Sequence, residues 1–211
     1  MQEDKKIPSS VKDNYQSNYE DFNDERLFKA IANNDLDALS YAYQRYYNGL
    51  YFYGLKCTYR VPLIEDSIHD LFLKLWDKRS DIKIKQAFKP YLFKMFRSII
   101  VDRLNKLNKT GELQQPDELL APSLSVQDII INREFESEQL RQLDLALKGL
   151  SSRQAEVIYL RFYEGLSYEQ IAEAVDINYQ SVRNSIYESV KFLKSAVKTI
   201  ILISISFIIW Q

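Results

Sequence analysis

Between Ser167 and Ala196 the chain reads SYEQIAEAVDINYQSVRNSIYESVKFLKSA, a stretch that leaves little freedom in local fold. Ser167 followed three residues later by Gln170 has the pattern of a capping box, in which hydroxyl and amide side chains satisfy two orphan N–H groups at a helix start. Ile171, Ala174 and Val175 then fall on one side of that helix. Asp176-Ile177-Asn178 interrupts the periodicity, and Asn178 has the side chain of an N-cap for a second helix. There Val182, Ile186, Val190, Leu193 and Val197 form a continuous apolar stripe. The opposite face carries Gln180, Arg183, Asn184, Tyr187, Lys191 and Lys194, which can donate to phosphates or base edges. Two helices across a tight turn, the second opening with amide-bearing side chains, describe a helix-turn-helix. From these residues alone, a helical hairpin in an ordinary bundle remains the alternative.

The remaining chain is expected to be helical too, since 211 residues contain only 5 Gly and 5 Pro. That length suits one large domain or two small ones. Cys57 is the only cysteine and His69 the only histidine, which excludes an internal disulfide and clusters of Cys or His around a metal. No Gly-rich phosphate loop occurs, so neither an enzyme nor a cofactor is expected. The opening MQEDKKIPSSVKDNYQ lacks the apolar core of a signal peptide, and the expected compartment is the cytoplasm.

A net charge of −1 argues weakly against a nucleic-acid partner, but the distribution matters more than the sum. Residues 78–109 hold ten Lys/Arg against Asp81 and Asp102, whereas residues 111–144 hold eight acids against Arg133 and Arg141. Two surfaces with different partners are implied.

Residues 1–22 are polar and acidic and read as a mobile tail. Leu27, Phe28 and Ile31 give a short helix from Asn23 to about Asn34, and Asp35 can cap a longer one with Leu39, Tyr43, Tyr46, Leu50 and Tyr53 inward. Arg60-Val61-Pro62 ends it. In the next helix, from Leu63 to Lys78, Ile64, Ile68, Leu71, Phe72 and Leu75 face the core, leaving Glu65, Asp66, His69 and Asp70 outside. Residues 79–89 read as a basic loop, and Pro90 suits the first turn of a further helix reaching Asn105. Basic residues alternating with Phe88, Tyr91 and Phe93 suit unpaired nucleic acid, while a solvated helix face is the other reading. A linker without periodicity runs from Asn108 to about Val126. Asp128 to Leu147 returns to helix, and SSRQAEVIYLRFY, residues 151–163, opens with a second capping box, Ser151 with Gln154, and is expected to scaffold the helix-turn-helix.

Three of these segments together resemble a sigma factor of bacterial RNA polymerase, of the small extracytoplasmic-function group that has only the second and fourth regions. LSSRQAEVIYLRFYEGLSYEQIAEAVDI, residues 150–177, resembles the fourth region; IEDSIHDLFLKLW, residues 64–76, and FKPYLFKMFRSIIVDRL, residues 88–104, resemble parts of the second. The resemblance implies an all-α fold of two small helical domains joined by a flexible acidic linker. Its divisions are a tail at 1–22, region 2 at 23–107, a linker at 108–127, region 4 at 128–198 and an apolar end at 199–211.

The implied function is promoter-specific transcription initiation, with core RNA polymerase and promoter DNA, both duplex and melted strand, as partners. An anti-sigma factor is a further implied partner. By position, Asp66, His69 and Asp70 correspond to core-polymerase contacts. The loop from Ser80 to Lys85 matches the place where the family captures a flipped-out base. Lys83, Lys85, Lys89, Lys94, Arg97 and Arg103 are the residues expected along the −10 element. Gln180, Ser181, Arg183, Asn184, Tyr187, Lys191 and Lys194 fall at positions facing the −35 element. Arg183 and Asn184 have the chemistry of base readers, and Lys191 and Lys194 that of phosphate contacts.

The last residues, TIILISISFIIWQ, are too few to span a bilayer, which needs about 20 residues in a helix. They are expected to continue the preceding helix and to pack on this chain, bind a partner or touch a membrane surface weakly. Two other functional readings compete: a stand-alone helix-turn-helix regulator, which gives residues 64–104 no role, and a membrane-associated adaptor organised by the apolar end.

Overall fold

A computed structural model describes residues 19–82, 87–110 and 145–209, with side chains through Ala196, and every regular element in them is an α-helix. The helices are α1 (Asp24–Ala32), α2 (Leu36–Cys57), α3 (Val61–Asp77), α4 (Phe88–Thr110), α5 (Ser152–Phe162), α6 (Tyr168–Val175) and α7 (Tyr179–Ile209).

Local chemistry sets most of the starts. The Asn23 side chain accepts from the backbone N–H of Arg26 at 2.8 Å, and Asp35 accepts from that of Ala38 at 2.9 Å. Each satisfies one of the donors that a first turn leaves without a partner. α3 has no side-chain cap but carries Pro62 in its first turn, where a missing N–H costs little. The tripeptide Arg60-Val61-Pro62, expected to end one helix, therefore begins the next.

α1 to α4 form a front bundle. Leu27 and Ile31, Leu50 and Tyr53, Ile64, Ile68, Leu71 and Leu75, and Leu92, Phe96 and Ile100 are buried within it. On α2 the inward row is Ala38, Ala42, Tyr46, Leu50, Gly54 and Cys57, while Leu39 and Tyr43 are only half-buried. Small residues lie innermost because neighbouring helices approach closely there; a large apolar side chain is not the best guide to the core at such a crossing. Asp24 ties three helices together, accepting from the Tyr46 hydroxyl at 2.6 Å and from the Lys89 backbone N–H at 3.2 Å.

Three expectations shift. Tyr19 and Phe22, placed in the mobile tail, pack on the bundle: their rings meet edge to face, and the Tyr19 hydroxyl donates to Asp35 at 2.8 Å. α4 begins at Phe88, two residues before Pro90, and runs on to Thr110, past the expected start of the linker. Phe88 and Phe93 are buried in the core and cannot stack on bases; of that aromatic set only Tyr91 is half-exposed. The whole 111–144 stretch, and with it most of the expected 128–147 helix, lies outside the described residues, which resume with helical residues 145–148.

The rear module is α5 to α7. Residues 155–160 of α5 are buried in an unbroken run, because the helix is covered on one side by α6 and α7 and on the other by the front bundle. A helix whose middle turns are buried all round has to be central. Its role thus exceeds the expected one of scaffolding the helix-turn-helix: it joins the two modules.

Candidate polymerase and nucleic-acid interfaces

The helix-turn-helix forms as its caps dictate. In both capping boxes the serine hydroxyl accepts from the backbone N–H three residues on, and the glutamine side chain accepts from the serine N–H: Ser151 with Gln154, and Ser167 with Gln170. Asp176 ends α6 in the left-handed region, with φ of 55°, a conformation that aspartate tolerates better than most side chains. Asn178 then caps α7, accepting from the Ser181 N–H at 2.7 Å. Val182 and Ile186 are buried, Val190 and Leu193 half-buried, and Val197 lies beyond the described side chains.

With that stripe anchored, Gln180, Ser181, Arg183, Asn184, Tyr187, Lys191 and Lys194 are all exposed. The Gln180 amide donates to the Asn184 carbonyl oxygen at 2.9 Å, which pre-orients two amides on one face. Arg183, Tyr187, Lys191 and Lys194 edge an open groove of about 540 Å³ walled by Phe162 and Tyr168. The face therefore offers amides and a guanidinium for base edges, with cations further along for phosphates. α7 continues as a helix to Ile209, as expected for the apolar end.

On the front module, α3 turns its apolar stripe inward and presents Asp66 and His69 to solvent, with Asp70 half-exposed beside them. The Tyr43 hydroxyl lies 3.4 Å from His69 Nε2. Trp76 is half-buried, with the Arg79 guanidinium 4.1 Å over its ring.

The −10 residues do not form one free face. Lys83 and Lys85 lie outside the described residues. Lys94 is exposed. Arg103 is bound to Asp70 and lies 3.8 Å from Asp66. Lys89 and Arg97 point at the rear module: Lys89 Nζ lies 2.8 Å from a Glu164 carboxylate oxygen, and Arg97 Nε donates to Glu156 at 2.9 Å.

Glu156 is the centre of this seam. It also accepts from the Tyr53 hydroxyl at 2.6 Å and from Arg153 at 2.7 Å. Burial pulls the Arg97 guanidinium down, but the Glu156 carboxylate, joined by Tyr53 and Cys57, more than offsets it and the net shift is upward. Burial pushes the Tyr53 phenol well above its ordinary range, with the Glu156 carboxylate adding to it, so the phenol remains a donor. The sequence did not point to Glu156 or Glu164, and it placed Tyr53 only in the inward row of α2, not at a polar contact. The available signal was one acid inside the otherwise apolar run AEVIYL, which marks a buried charge that needs partners.

Among the described residues no three His, Cys, Asp or Glu side chains gather to hold a metal ion. Nor is any helix among them long and apolar enough to cross a membrane.

These two modules have counterparts. Residues 42–110 match the family model of sigma-70 region 2, and residues 140–193 match that of sigma-70 region 4. The chain is 23% identical over 171 residues to the ECF RNA polymerase sigma factor SigK of Mycobacterium sp. (strain JLS), covering 80% of this chain and 88% of that protein. It is 19% identical over 170 residues to SigK of Mycobacterium tuberculosis (strain ATCC 25177 / H37Ra), covering 80% and 90% respectively. Its fold is similar to that of CnrH, solved with the cytosolic domain of CnrY, at a TM-score of 0.56 and 16% identity over 83% of this chain and 97% of that one. It is also similar to the sigma factor RpoE of Bartonella quintana, solved with the anti-sigma factor NepR, at a TM-score of 0.51 and 22% identity over 72% and 91%. The chain belongs to the sigma-70 family, in its extracytoplasmic-function group. As a sigma factor it directs transcription initiation and is not itself a catalyst, and a role for residues 64–104 removes the case for a stand-alone regulator.

Proposed function

We propose that the front module binds core RNA polymerase through Asp66, His69 and Asp70 and holds the melted −10 strand with α4 and the basic loop before it. Lys83, Lys85, Lys89, Lys94, Arg97 and Arg103 supply the cations. The rear module docks the start of α7 in the major groove of the −35 element through Gln180, Ser181, Arg183, Asn184 and Tyr187, with Lys191 and Lys194 on phosphates. The observation that carries this reading is the exposure of all seven α7 side chains on a helix whose other face is anchored in the core. Major-groove readers have that geometry, because one helix fits the groove and amide and guanidinium groups pair bidentately with base edges.

An anti-sigma factor is the proposed regulatory partner; two structural neighbours were solved with proteins bound to them, one of these named an anti-sigma factor. The chain works in the cytoplasm, where polymerase and promoter meet, and any membrane contact is indirect. Run-off transcription with purified core polymerase on a promoter library tests the proposal. Specific transcripts that require this chain are expected; core polymerase that forms no holoenzyme with it overturns the reading.

A further inference from the structure

Lys89 and Arg97 lie two helical turns apart on α4, and both are held by carboxylates of the rear module. Glu164 receives Lys89 twice: Nζ lies 2.8 Å from its carboxylate and donates to its backbone carbonyl at 2.7 Å. The Glu164 side chain is 6% exposed and also accepts from the Tyr159 hydroxyl at 2.9 Å, which is 3.2 Å from the Gly49 carbonyl of α2. Gly49 makes room for it, since a Cβ there would come within 2.8 Å of Glu164 Oε1. Beside this contact the seam is incompletely filled, with a cavity of about 240 Å³ bordered by Arg45, Lys89 and Glu164. Eight residues along, Glu156 holds Arg97 while Tyr53 and Arg153 fix its carboxylate in place.

We infer that Glu156 and Glu164 stand in for DNA phosphates, closing the rear module over α4 and withholding Lys89 and Arg97 from the strand until the two modules part. The inference rests on the proposed role of α4 in strand binding. Two features point to a reversible contact rather than a permanent core. The two ion pairs that hold Lys89 and Arg97 are cation to carboxylate, the same chemistry that a phosphate oxygen offers, so opening on DNA exchanges one anion for another. The two modules are also separate in sequence, on either side of residues 111–144, and no described helix runs from one into the other.

The test uses the full-length chain carrying Glu156→Gln and Glu164→Gln together, which keeps shape and removes both charges. Binding of fluorescein-labelled single-stranded oligo(dT) is followed by anisotropy, and the radius of gyration by small-angle scattering. A larger radius and about tenfold tighter binding are expected, because a mostly closed chain binds with an affinity reduced by its open fraction. Gly49→Leu, which wedges the seam and keeps every charge, is expected to act in the same direction and guards against a folding defect in the double variant. Adding Lys89→Ala and Arg97→Ala to the opened chain should cancel the gain. Equal affinity in wild type and opened chain, with both lost on removing Lys89 and Arg97, overturns the closure while leaving the strand-binding role intact. An opened chain indifferent to Lys89 and Arg97 overturns the strand-binding role itself, and the closure with it.

Discussion

Arg103 on α4 donates to Asp70 on α3, and its other terminal nitrogen lies 3.8 Å from Asp66. A guanidinium proposed for the DNA strand is thus held by two carboxylates proposed for the polymerase. Engagement of those acids by a basic partner would release the cation beside the strand, so the two proposed sites of the front module share one network.

Replacing Asp66 with alanine is expected to weaken polymerase binding without altering the fold. Its side chain is 70% exposed and its ion pair is long, and exposed pairs contribute only about 0–1 kcal/mol to stability. Competition for core enzyme against a second sigma factor, alongside thermal melting, checks this. Unchanged affinity for core enzyme refutes the contact.

Arg183→Ala is expected to cost about 1–3 kcal/mol of discrimination at the upstream element, the size of one good base contact. Holoenzyme binding to matched and single-base-changed promoters measures it. An equal loss on every sequence would make Arg183 a phosphate contact instead.

Gly54→Ala should destabilise the front bundle although alanine is the better helix former. A Cβ at this position of α2 would lie 2.5 Å from Ile64 Cγ2 and 3.2 Å from Phe96 Cζ, where α3 and α4 close in. Overpacking of this kind costs about 1–3 kcal/mol. Urea unfolding checks it, and a variant as stable as wild type would mean that the crossing can widen freely.

Stability should fall in alkaline solution. Burial pushes the Cys57 thiol from an ordinary 9.0 up to about 12, with the Glu156 carboxylate adding to the rise and Arg97 opposing it. Burial acts the same way on the Tyr53 phenol. The folded chain keeps these protons while the unfolded chain releases them, so stability is flat below about pH 9 and declines above it. Urea midpoints measured across the alkaline range test this, and Cys57 is expected to react slowly with thiol reagents at neutral pH. A midpoint that stays constant past the ordinary thiol range contradicts it.

Much of the helix-turn-helix was legible because its determinants are local. Ser151, Ser167 and Asn178 satisfy N–H groups three residues away, and Val182 and Ile186 orient α7 by period alone. The stripe of α3 was legible for the same reason. Phe88 and Phe93 were misread because alternation with basic residues says nothing about which ring the neighbouring helices cover.

By itself, then, the sequence determined the helices, their caps and the side chains that α7 holds toward solvent, since each depends on neighbours within a turn or two. Only the tertiary structure decided which cations are already taken. Lys89 meets Glu164 across 75 residues, and Tyr53 meets Glu156 across 103. No periodicity encodes such pairs, because they arise from how whole helices dock, and a carboxylate as buried as Glu156 must find its donors wherever that docking brings them.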